Sequence, residues 1–339
     1  MPDPVPHASH HAPPHRSAGR RRDLSGSPGT DALKPAAWAP DGFDDWRTLY
    51  PTTPFRPPEA GLDLTPRFIE GWTLNAARLP ATTTIVLIAG LYSEWLPGCH
   101  RAARRTLCAA GYPVLTVPVR SARGVFEQGA HIAAFLRARL PVAGDFVALT
   151  HSKGGIDTLA ALTGDPALRA RCTGIALVQP PVGPSAIVDA IFGESVGRYR
   201  PVGTAPVRER IAHRLLQSRW AAGGTRDISS RRDPRVAAML ADIPEDLHLV
   251  HAVSWSISAA TRFDSHHARL NGFRPGCAHD GQFYLEHQVL PGHPQICLPR
   301  LDHGQPVIGG LGFDTGRFWL TLADLLHITR GGTRRSQTR

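Results

Sequence analysis

Lysine and cysteine are scarce in this sequence. Lys34 and Lys153 are its only lysines, so arginine supplies nearly all of the 38 basic residues. The 5 cysteines are Cys99, Cys108, Cys172, Cys277 and Cys297. They are odd in number, widely spaced and contain no C-x-x-C pair, a pattern that argues against a disulfide framework. We therefore expect buried thiols in a reducing compartment.

Long apolar runs are also missing. No segment approaches the roughly 18 consecutive apolar residues that a membrane-spanning helix requires. The amino terminus never develops the apolar stretch that a secretory signal carries after its basic residues. Arg20-Arg21-Arg22 leads into Asp23 and not into a twin-arginine signal. The sequence therefore predicts a cytoplasmic protein with no transmembrane segment.

The chain has a formal net charge of +10, which raises the question of nucleic-acid binding. Much of the excess lies in two tails, residues 1–36 and 329–339, where arginines cluster. Scattered arginines elsewhere are more typical of a solvated surface than of a phosphate-binding track. We therefore expect no nucleic-acid partner, and the sequence specifies no oligomeric state.

Metal and dinucleotide signatures are weak. The sequence contains no H-E-x-x-H motif and no Cys/His cluster at ligand spacing outside the amino-terminal tail. The tail histidines are His7, His10, His11 and His15, and nothing fixes their geometry. The glycine-rich stretch 309–316 follows no convincing strand, so we predict a loop before the last helix and not a dinucleotide site. No cofactor and no metal are expected.

Composition divides the chain into four parts. Residues 1–36 are rich in Pro, His, Ser, Gly and Arg. They predict a disordered basic tail, because few large apolar groups are present to offset the entropy of ordering. Residues 37–80 mix tryptophan with proline and predict an extended lead-in. Residues 81–328 predict one ordered α/β domain, and residues 329–339 predict a second basic tail.

Within the domain, short apolar runs alternate with helical patterns, which is typical of βαβ units and a mostly parallel sheet with helices on both faces. The predicted strands are 85–89, 114–117, 146–149, 175–178, 249–253 and 296–298, and the clearest predicted helices are 125–136 and 318–327. Between about 181 and 245 the strand patterns stop and helical patterns replace them. We predict a helical insertion there, placed to form a lid over an active site.

The third predicted strand runs into the sequence T-H-S-K-G-G at 150–155 and then into a helical pattern. A serine hydroxyl needs a base that removes its proton and a sharp strand-to-helix turn that exposes it to a carbonyl group. Such turns carry small residues two before and two after the serine, in the pattern G-x-S-x-G. Gly154 fits this pattern, whereas Thr150 replaces the first glycine. We predict that Ser152 is a catalytic nucleophile.

The base is expected in a loop after the last strand, and His303 stands in that position. The acid that orients the histidine is expected after the preceding strand. Asp280, directly before Gly281, meets this expectation. Asp264 is the alternative acid, because it is closer to the end of the strand at 249–253, although its setting also suits a helix cap.

Two backbone N–H groups are expected to stabilise the negative charge that develops on a substrate carbonyl oxygen. The amide of Lys153 is one candidate and the amide of Leu91 is the other. Tyr92 and Trp95 are expected to line the substrate pocket. The Lys153 side chain has two interpretations, an ammonium bordering the site or a residue with no special role. Asp157 is interpreted as a carboxylate favoured by the helix N-terminus.

The order Ser152, Asp280, His303 along the chain is that of the α/β-hydrolases. An Asp-Gly turn followed by an Asp-His motif resembles bacterial lipases and related esterases, and the Ser-Lys-Gly elbow resembles a group of bacterial hydrolase-like proteins. The resemblance runs from about Thr82 to Leu326. It implies the α/β-hydrolase fold with a helical lid, and a serine hydrolase that cleaves a small-molecule carboxylic ester through an acyl-enzyme.

Other functions are compatible with the same residues. Acyl transfer and thioester hydrolysis would use the same triad and differ only in the attacking or leaving group. A non-catalytic hydrolase-fold protein that binds a ligand or partner would carry the triad in a misaligned or blocked form. The length of the acyl chain and the nature of the leaving group are not specified by the sequence.

Overall fold

A computed structural model describes residues 38, 57–76, 78–120, 122–142, 144–193, 214, 218, 222–256, 261 and 264–336. For residues 264–265 and 331–336 it describes the backbone alone. These residues belong to one compact unit, Ala37–Arg339. The tail predicted at 1–36 lies outside the described residues.

Six parallel strands form the central sheet. They are β1 (Thr84–Ile88), β2 (Val114–Thr116), β3 (Phe146–His151), β4 (Cys172–Val178), β5 (Leu249–Trp255) and β6 (Gln295–Pro299). Their order across the sheet is β2-β1-β3-β4-β5-β6, and each neighbouring pair runs parallel. The carboxyl ends of β3, β4, β5 and β6 therefore meet at one edge of the sheet.

Helices connect these strands. They are α1 (Thr65–Leu74), α2 (Arg101–Ala109), α3 (Val125–Arg139), α4 (Lys153–Gly164), α5 (Pro166–Arg171), α6 (Ala186–Ile191), α7 (Ala222–Arg226), α8 (Pro234–Ala241), α9 (Asp264–Phe273), α10 (Gln305–Ile308) and α11 (Thr315–Ser336). Short 3₁₀ helices lie at Ser93–Trp95 and Leu285–His287.

The core lies on both faces of the sheet. Alternate residues of a strand point to opposite faces. Ile85 and Leu87 accordingly pack in one cluster with side chains of α1, α2 and α11, whereas Val86 and Ile88 pack in another with side chains of α3 and α4. Because both faces are covered, the central strands are continuous apolar runs. The predicted parallel sheet with helices on both faces is confirmed.

The lead-in predicted as extended over 37–80 is wrong at 65–74, where α1 forms. Pro66 lies at the start of this helix, where its missing N–H costs nothing. Phe68 and Trp72 lie one turn apart and are both buried, so the helix covers one face of the sheet. Helical spacing of two aromatic residues was the signal for this element, and the surrounding prolines masked it.

The carboxyl-terminal tail predicted at 329–339 is wrong in part, because α11 continues to Ser336. Thr329 is buried, and its hydroxyl donates to the Leu325 carbonyl at 2.8 Å, so this turn packs as a continuation of the helix. Within the described part of 181–245 the structure contains α6, α7 and α8 and no strand. Residues 194–213, 215–217 and 219–221 of the predicted insertion lie outside the described residues.

The cysteines form no disulfide. Cys172 and Cys297 are buried, as expected, and Cys99 and Cys277 are half-buried. Cys108 is exposed, so the expectation of a buried thiol is wrong there; it lies on the outer side of α2, whose buried side is formed by Ala103 and Leu107. Among the described helices, none is both long and apolar enough to cross a membrane. The compartment stays a prediction.

The burial of one face of α1 predicts that substitutions at two residues of that helix change the free energy of unfolding by very different amounts. Phe68 is fully buried, and its ring centroid lies 5.8 Å from that of Phe318. We expect Phe68→Ala to lower the free energy of unfolding by about 3–5 kcal/mol, through lost contacts and the cavity left behind. Leu74 is 53% exposed, so Leu74→Ala should change it by less than about 1 kcal/mol. Equal losses in urea unfolding would contradict this account of α1.

Candidate active site

Ser152 lies between the end of β3 and the start of α4. Its backbone has φ 52° and ψ −133°, in the left-handed half of conformational space that a residue with a Cβ rarely adopts. Two hydrogen bonds hold it: the Ser152 amide donates to the Val178 carbonyl at 2.8 Å, and the Gly155 amide donates to the Ser152 carbonyl at 2.9 Å. The serine is therefore fixed at the carboxyl edge of the sheet.

Two glycines allow the backbone to approach this turn. A Cβ on Gly154 would overlap the Ala89 carbonyl, lying 2.9 Å from its carbon and 3.0 Å from the Ile88 oxygen. A Cβ on Gly90 would lie 2.7 Å from Cβ of Ser152. Both contacts are shorter than real Cβ contacts, so neither position accepts a side chain without a shift of the backbone.

Thr150 stands where the G-x-S-x-G pattern has its first glycine. Its side chain is buried, and its hydroxyl donates to the Ala176 carbonyl of β4 at 2.8 Å. A Cβ on Gly155 would lie 3.1 Å from that hydroxyl oxygen. The second glycine after the serine therefore provides the space that the threonine occupies, and the departure from the pattern leaves the turn intact.

His303 bridges Ser152 and Asp280. Its Nε2 lies 3.0 Å from the serine Oγ, and its Nδ1 lies 2.7 Å from Oδ2 of Asp280. Because an ionised carboxylate only accepts, Nδ1 carries the proton and Nε2 is free to accept the serine hydroxyl. The structure brings together all three residues that the sequence predicts as the triad.

Asp280 is fully buried and held by backbone donors. Its Oδ1 accepts from the amides of Gln282 at 2.8 Å and Phe283 at 2.9 Å, which leaves Oδ2 for the histidine. The loops also join through their backbones, because the His303 amide donates to the Asp280 carbonyl at 2.8 Å. Gly281 has φ 95°, a conformation that favours glycine, which explains the Asp-Gly turn.

Asp302 and Asp264 have different settings from that of Asp280. The Asp302 carboxylate accepts the amides of Gly304 and Gln305 at 2.8 and 3.1 Å, so it is directed at the start of α10. Asp264 is the first residue of α9, and its side chain lies outside the described part of the molecule. Asp280 is the carboxylate that contacts His303, while Asp264 stays the alternative.

The predicted charge-stabilising amides are those of Leu91 and Lys153. Gly90 packs against Ser152, which leaves the Leu91 amide as the next donor along that loop. Lys153 is the first residue of α4, so its N–H has no acceptor within the helix. Among the described residues neither N–H donates to a protein acceptor. Their role toward a substrate stays a prediction.

Solved structures resemble this arrangement of sheet and helices. One is the metagenomic carboxyl esterase MGS0156, with a TM-score of 0.62 and 18% identity over 85% of this chain and 99% of the other. Another is the mature form of the Bacillus licheniformis lipase BlEst2, with a TM-score of 0.55 and 18% identity over 73% of this chain and 93% of the other. The chain has the α/β-hydrolase fold. No family model and no curated protein matches the sequence.

The Lys153 side chain, at the start of α4, is buried. Its Nζ donates to Oδ1 of Asp157 at 2.6 Å, one turn further along α4, and both side chains are 2% exposed. The sequence predicts that the Asp157 carboxylate interacts with the helix N-terminus, whereas in the structure it accepts a hydrogen bond from Lys153. The spacing of four residues was the available signal. Burial raises the pKa of Asp157 to about 7, although the Lys153 ammonium acts in the opposite direction.

Tyr92 and Trp95 form a stacked pair in the loop after β1. Their ring centroids are 5.4 Å apart and the ring planes differ by 12°. The Tyr92 hydroxyl makes a hydrogen bond with the buried hydroxyl of Thr225 in α7, and Trp95 is 68% exposed. Tyr92 therefore joins the loop after β1 to the insertion through its hydrogen bond with Thr225. No sequence pattern predicted this contact. Its role as a pocket wall stays a prediction.

Two further polar side chains, those of His151 and Gln179, lie at the carboxyl ends of β3 and β4 behind the triad. No sequence pattern predicted a role for either residue, although His151 precedes the serine directly. Among the described residues no group of three or more His, Cys, Asp or Glu side chains could hold a metal ion. The four tail histidines lie outside those residues, and the absence of a metal or cofactor stays a prediction.

The contact at Gly154 predicts that this position is intolerant of even a methyl group. We expect Gly154→Ala to lower the free energy of unfolding by about 2 kcal/mol or more, because the clash is with backbone atoms that cannot rotate away. Gly164 lies at the other end of the same helix with nothing within 4 Å of its added Cβ, so Gly164→Ala is the matched control. A similar urea midpoint for the two variants would refute the close approach.

The buried ion pair predicts a stability loss when one partner is removed. Asp157→Asn leaves the Lys153 ammonium buried without a counter-charge. We expect a loss of about 3–5 kcal/mol above about pH 8, where the Asp157 carboxyl, with its pKa of about 7, is ionised in the wild type. The control is Asp246→Asn, which removes a carboxylate that is 62% exposed and pairs with Arg169 at 3.1 Å. That change should cost less than about 1 kcal/mol. Comparable losses in both variants would mean that burial does not strengthen the pair.

Proposed function

We propose that this protein is a serine hydrolase that cleaves a small-molecule carboxylic ester through an acyl-enzyme. One observation carries the proposal: a single imidazole contacts Ser152 Oγ with one nitrogen and the Asp280 carboxylate with the other, at 3.0 and 2.7 Å. This arrangement is what a hydroxyl nucleophile requires, since a base must remove its proton as it attacks.

In the first half of the reaction, Ser152 Oγ forms a bond to the carbonyl carbon of the ester while its proton passes to Nε2 of His303. The tetrahedral intermediate then collapses. The bond from carbon to the alcohol oxygen breaks, and the departing oxygen takes the proton from His303. Asp280 stabilises the imidazolium that exists between these steps, because its Oδ2 accepts the hydrogen bond from Nδ1.

In the second half, water attacks the acyl group on Ser152 and transfers its proton to Nε2 of His303. The bond to Oγ breaks, Oγ regains the proton, and the carboxylic acid leaves. The buried position of the triad supports this proposal: Ser152 and His303 are only 5% and 6% exposed. Exclusion of bulk water strengthens electrostatic interactions inside the site.

The amides of Leu91 and Lys153 complete the mechanism that we propose. Both lie beside Ser152, one in the loop after β1 and one at the start of α4. Each would donate to the carbonyl oxygen as it gains negative charge, a contribution of about 3 kcal/mol per donor in comparable sites. The α4 N-terminus points its positive end at the same place.

The substrate class is inferred from the surroundings of the serine. Leu91 is half-buried, and Trp95 and Leu96 are exposed in the same loop, whose Gly90 packs against Ser152. We infer that these apolar side chains contact an acyl chain. MGS0156 and BlEst2, whose folds resemble this one, are a carboxyl esterase and a lipase. Both observations favour an ester with an apolar acyl group.

Hydrolysis of p-nitrophenyl esters from acetate to palmitate tests the proposal. Ser152→Ala should lower kcat by about 10⁴-fold or more, because the nucleophile is gone. A fluorophosphonate probe should label the wild type and not this variant. Folded wild-type protein with neither turnover nor labelling would overturn the proposal and favour a ligand-binding protein, while labelling without ester turnover would favour an acyl transferase or thioesterase.

The same assay separates the two acids. Asp280→Asn should lower kcat by about 10⁴-fold, because the amide cannot stabilise the imidazolium or hold the required tautomer. Asp264→Asn, which makes the same change on α9, should leave kcat within about twofold. The opposite result would transfer the role of the acid to Asp264.

A further inference from the structure

His151 lies against the loop that carries the base. Its Nε2 is 2.8 Å from the backbone carbonyl oxygen of His303 and 3.0 Å from Oε1 of Gln179. Both partners are acceptors, so Nε2 carries a proton and donates to them. The ring is buried, with its centroid 4.8 Å from that of His303. The residue next to the nucleophile therefore also contacts the backbone of the base.

Gln179 contacts the same loop one residue earlier. Its Nε2 donates to the backbone carbonyl of Asp302 at 3.2 Å and to the hydroxyl of Ser254 at 2.5 Å. The side chain is fully buried. Its backbone has φ 52°, and its amide donates to the Ala252 carbonyl at 2.8 Å. The glutamine is thus held by β5, and from there it reaches the loop after β6.

Two consecutive carbonyls of the base loop each receive a donor from this pair. The His303 carbonyl receives His151 and the Asp302 carbonyl receives Gln179. The Asp302 carbonyl also accepts from the Gln305 amide at 3.3 Å, so it would keep that donor without Gln179. Loss of the His151 ring would cost the His303 carbonyl its hydrogen bond to that ring in a buried place. The loop would shift to relieve that cost, and the imidazole would move with it.

The neutral state of the His151 ring suits this role. Burial holds the pKa of His151 well below its usual range, and the nearby His303 and His100 act in the same direction. The ring is therefore neutral. It remains a donor through Nε2 when His303, whose ring centroid lies 4.8 Å from that of His151, takes up a proton. A cation at position 151 would instead repel the imidazolium.

We infer that His151 and Gln179 are positioning residues that hold His303 at hydrogen-bonding distance from Ser152, an inference that rests on the proposed hydrolase function. His151 precedes Ser152 in the chain and donates a hydrogen bond to the backbone of His303. It therefore fixes the position of the His303 backbone relative to that of Ser152. A displacement of about 1 Å between reacting groups lowers rates by about a hundredfold.

The test compares three substitutions with a matched control. His151→Leu removes the donor, whereas His151→Gln keeps an N–H near the position of Nε2. Gln179→Met removes the three side-chain hydrogen bonds of the glutamine, to His151, Ser254 and the Asp302 carbonyl, at similar volume. It also tests the loop should His151→Leu fail to fold. The control is His251→Leu, because His251 is also buried, on β5, with Nε2 3.0 Å from Oε1 of Gln295.

We expect His151→Leu to lower kcat for a p-nitrophenyl ester by about 10- to 100-fold with KM changed less than twofold. Gln179→Met should lower kcat by about tenfold, and His151→Gln should recover most of the wild-type value. His251→Leu should lose comparable stability in urea while retaining kcat. An equal fall in kcat for His251→Leu, or no fall for His151→Leu, would overturn the inference.

A second readout needs no turnover. The proton on Nδ1 of His303, hydrogen-bonded to Asp280, gives a downfield proton resonance in NMR that Asp280→Asn should abolish. We expect His151→Leu to shift or broaden this resonance and His251→Leu to leave it unchanged. If the resonance shifts in His151→Leu and not in His251→Leu, but the wild type shows no ester turnover, the positioning role stands and the proposed hydrolysis fails. If the resonance is identical in His151→Leu, positioning fails whatever the activity.

Discussion

The strained backbone of Ser152 is the constraint on which the rest of the site depends. A serine at φ 52° between a strand and a helix persists only where neighbouring groups hold it. The Val178 carbonyl on β4 accepts its amide, and the Ala89 carbonyl on β1 lies against Gly154. The turn is therefore clamped between the two strands that flank β3. Any change in the sheet at this point would move the Ser152 side chain.

The base reaches the serine through contacts that cross the sheet. His151 ends β3, Gln179 directly follows β4 and Ser254 lies on β5. Their side chains form one connected set of hydrogen bonds that ends on the loop after β6. Since all these strands run parallel, their carboxyl ends lie at one edge of the sheet. These side chains come within hydrogen-bonding distance of one another there. The arrangement of Ser152, His303 and Asp280 is thus a property of the sheet edge and not of a single loop.

Buried charge is concentrated close to this edge. The Lys153 and Asp157 pair lies in the first turn and a half of α4, beside the residue whose amide is expected to receive a developing oxyanion. Such a pair adds little net stability, but it penalises any arrangement that separates the partners. It therefore favours one conformation of the helix start, where the direction of the Lys153 amide matters most.

Much of this protein follows from its sequence. Apolar runs predicted all six strands, because a parallel sheet covered on both faces needs continuous apolar segments. The turn residues around Ser152, Asp280 and His303 predicted the triad, because glycine is needed where backbones approach closely. Only the tertiary structure decided the partner of Lys153, the helix at 65–74 and the contacts of His151 and Gln179. A short-range pattern records what one segment requires of its own backbone, whereas a contact between β3, β4 and the loop after β6 joins residues up to 152 positions apart.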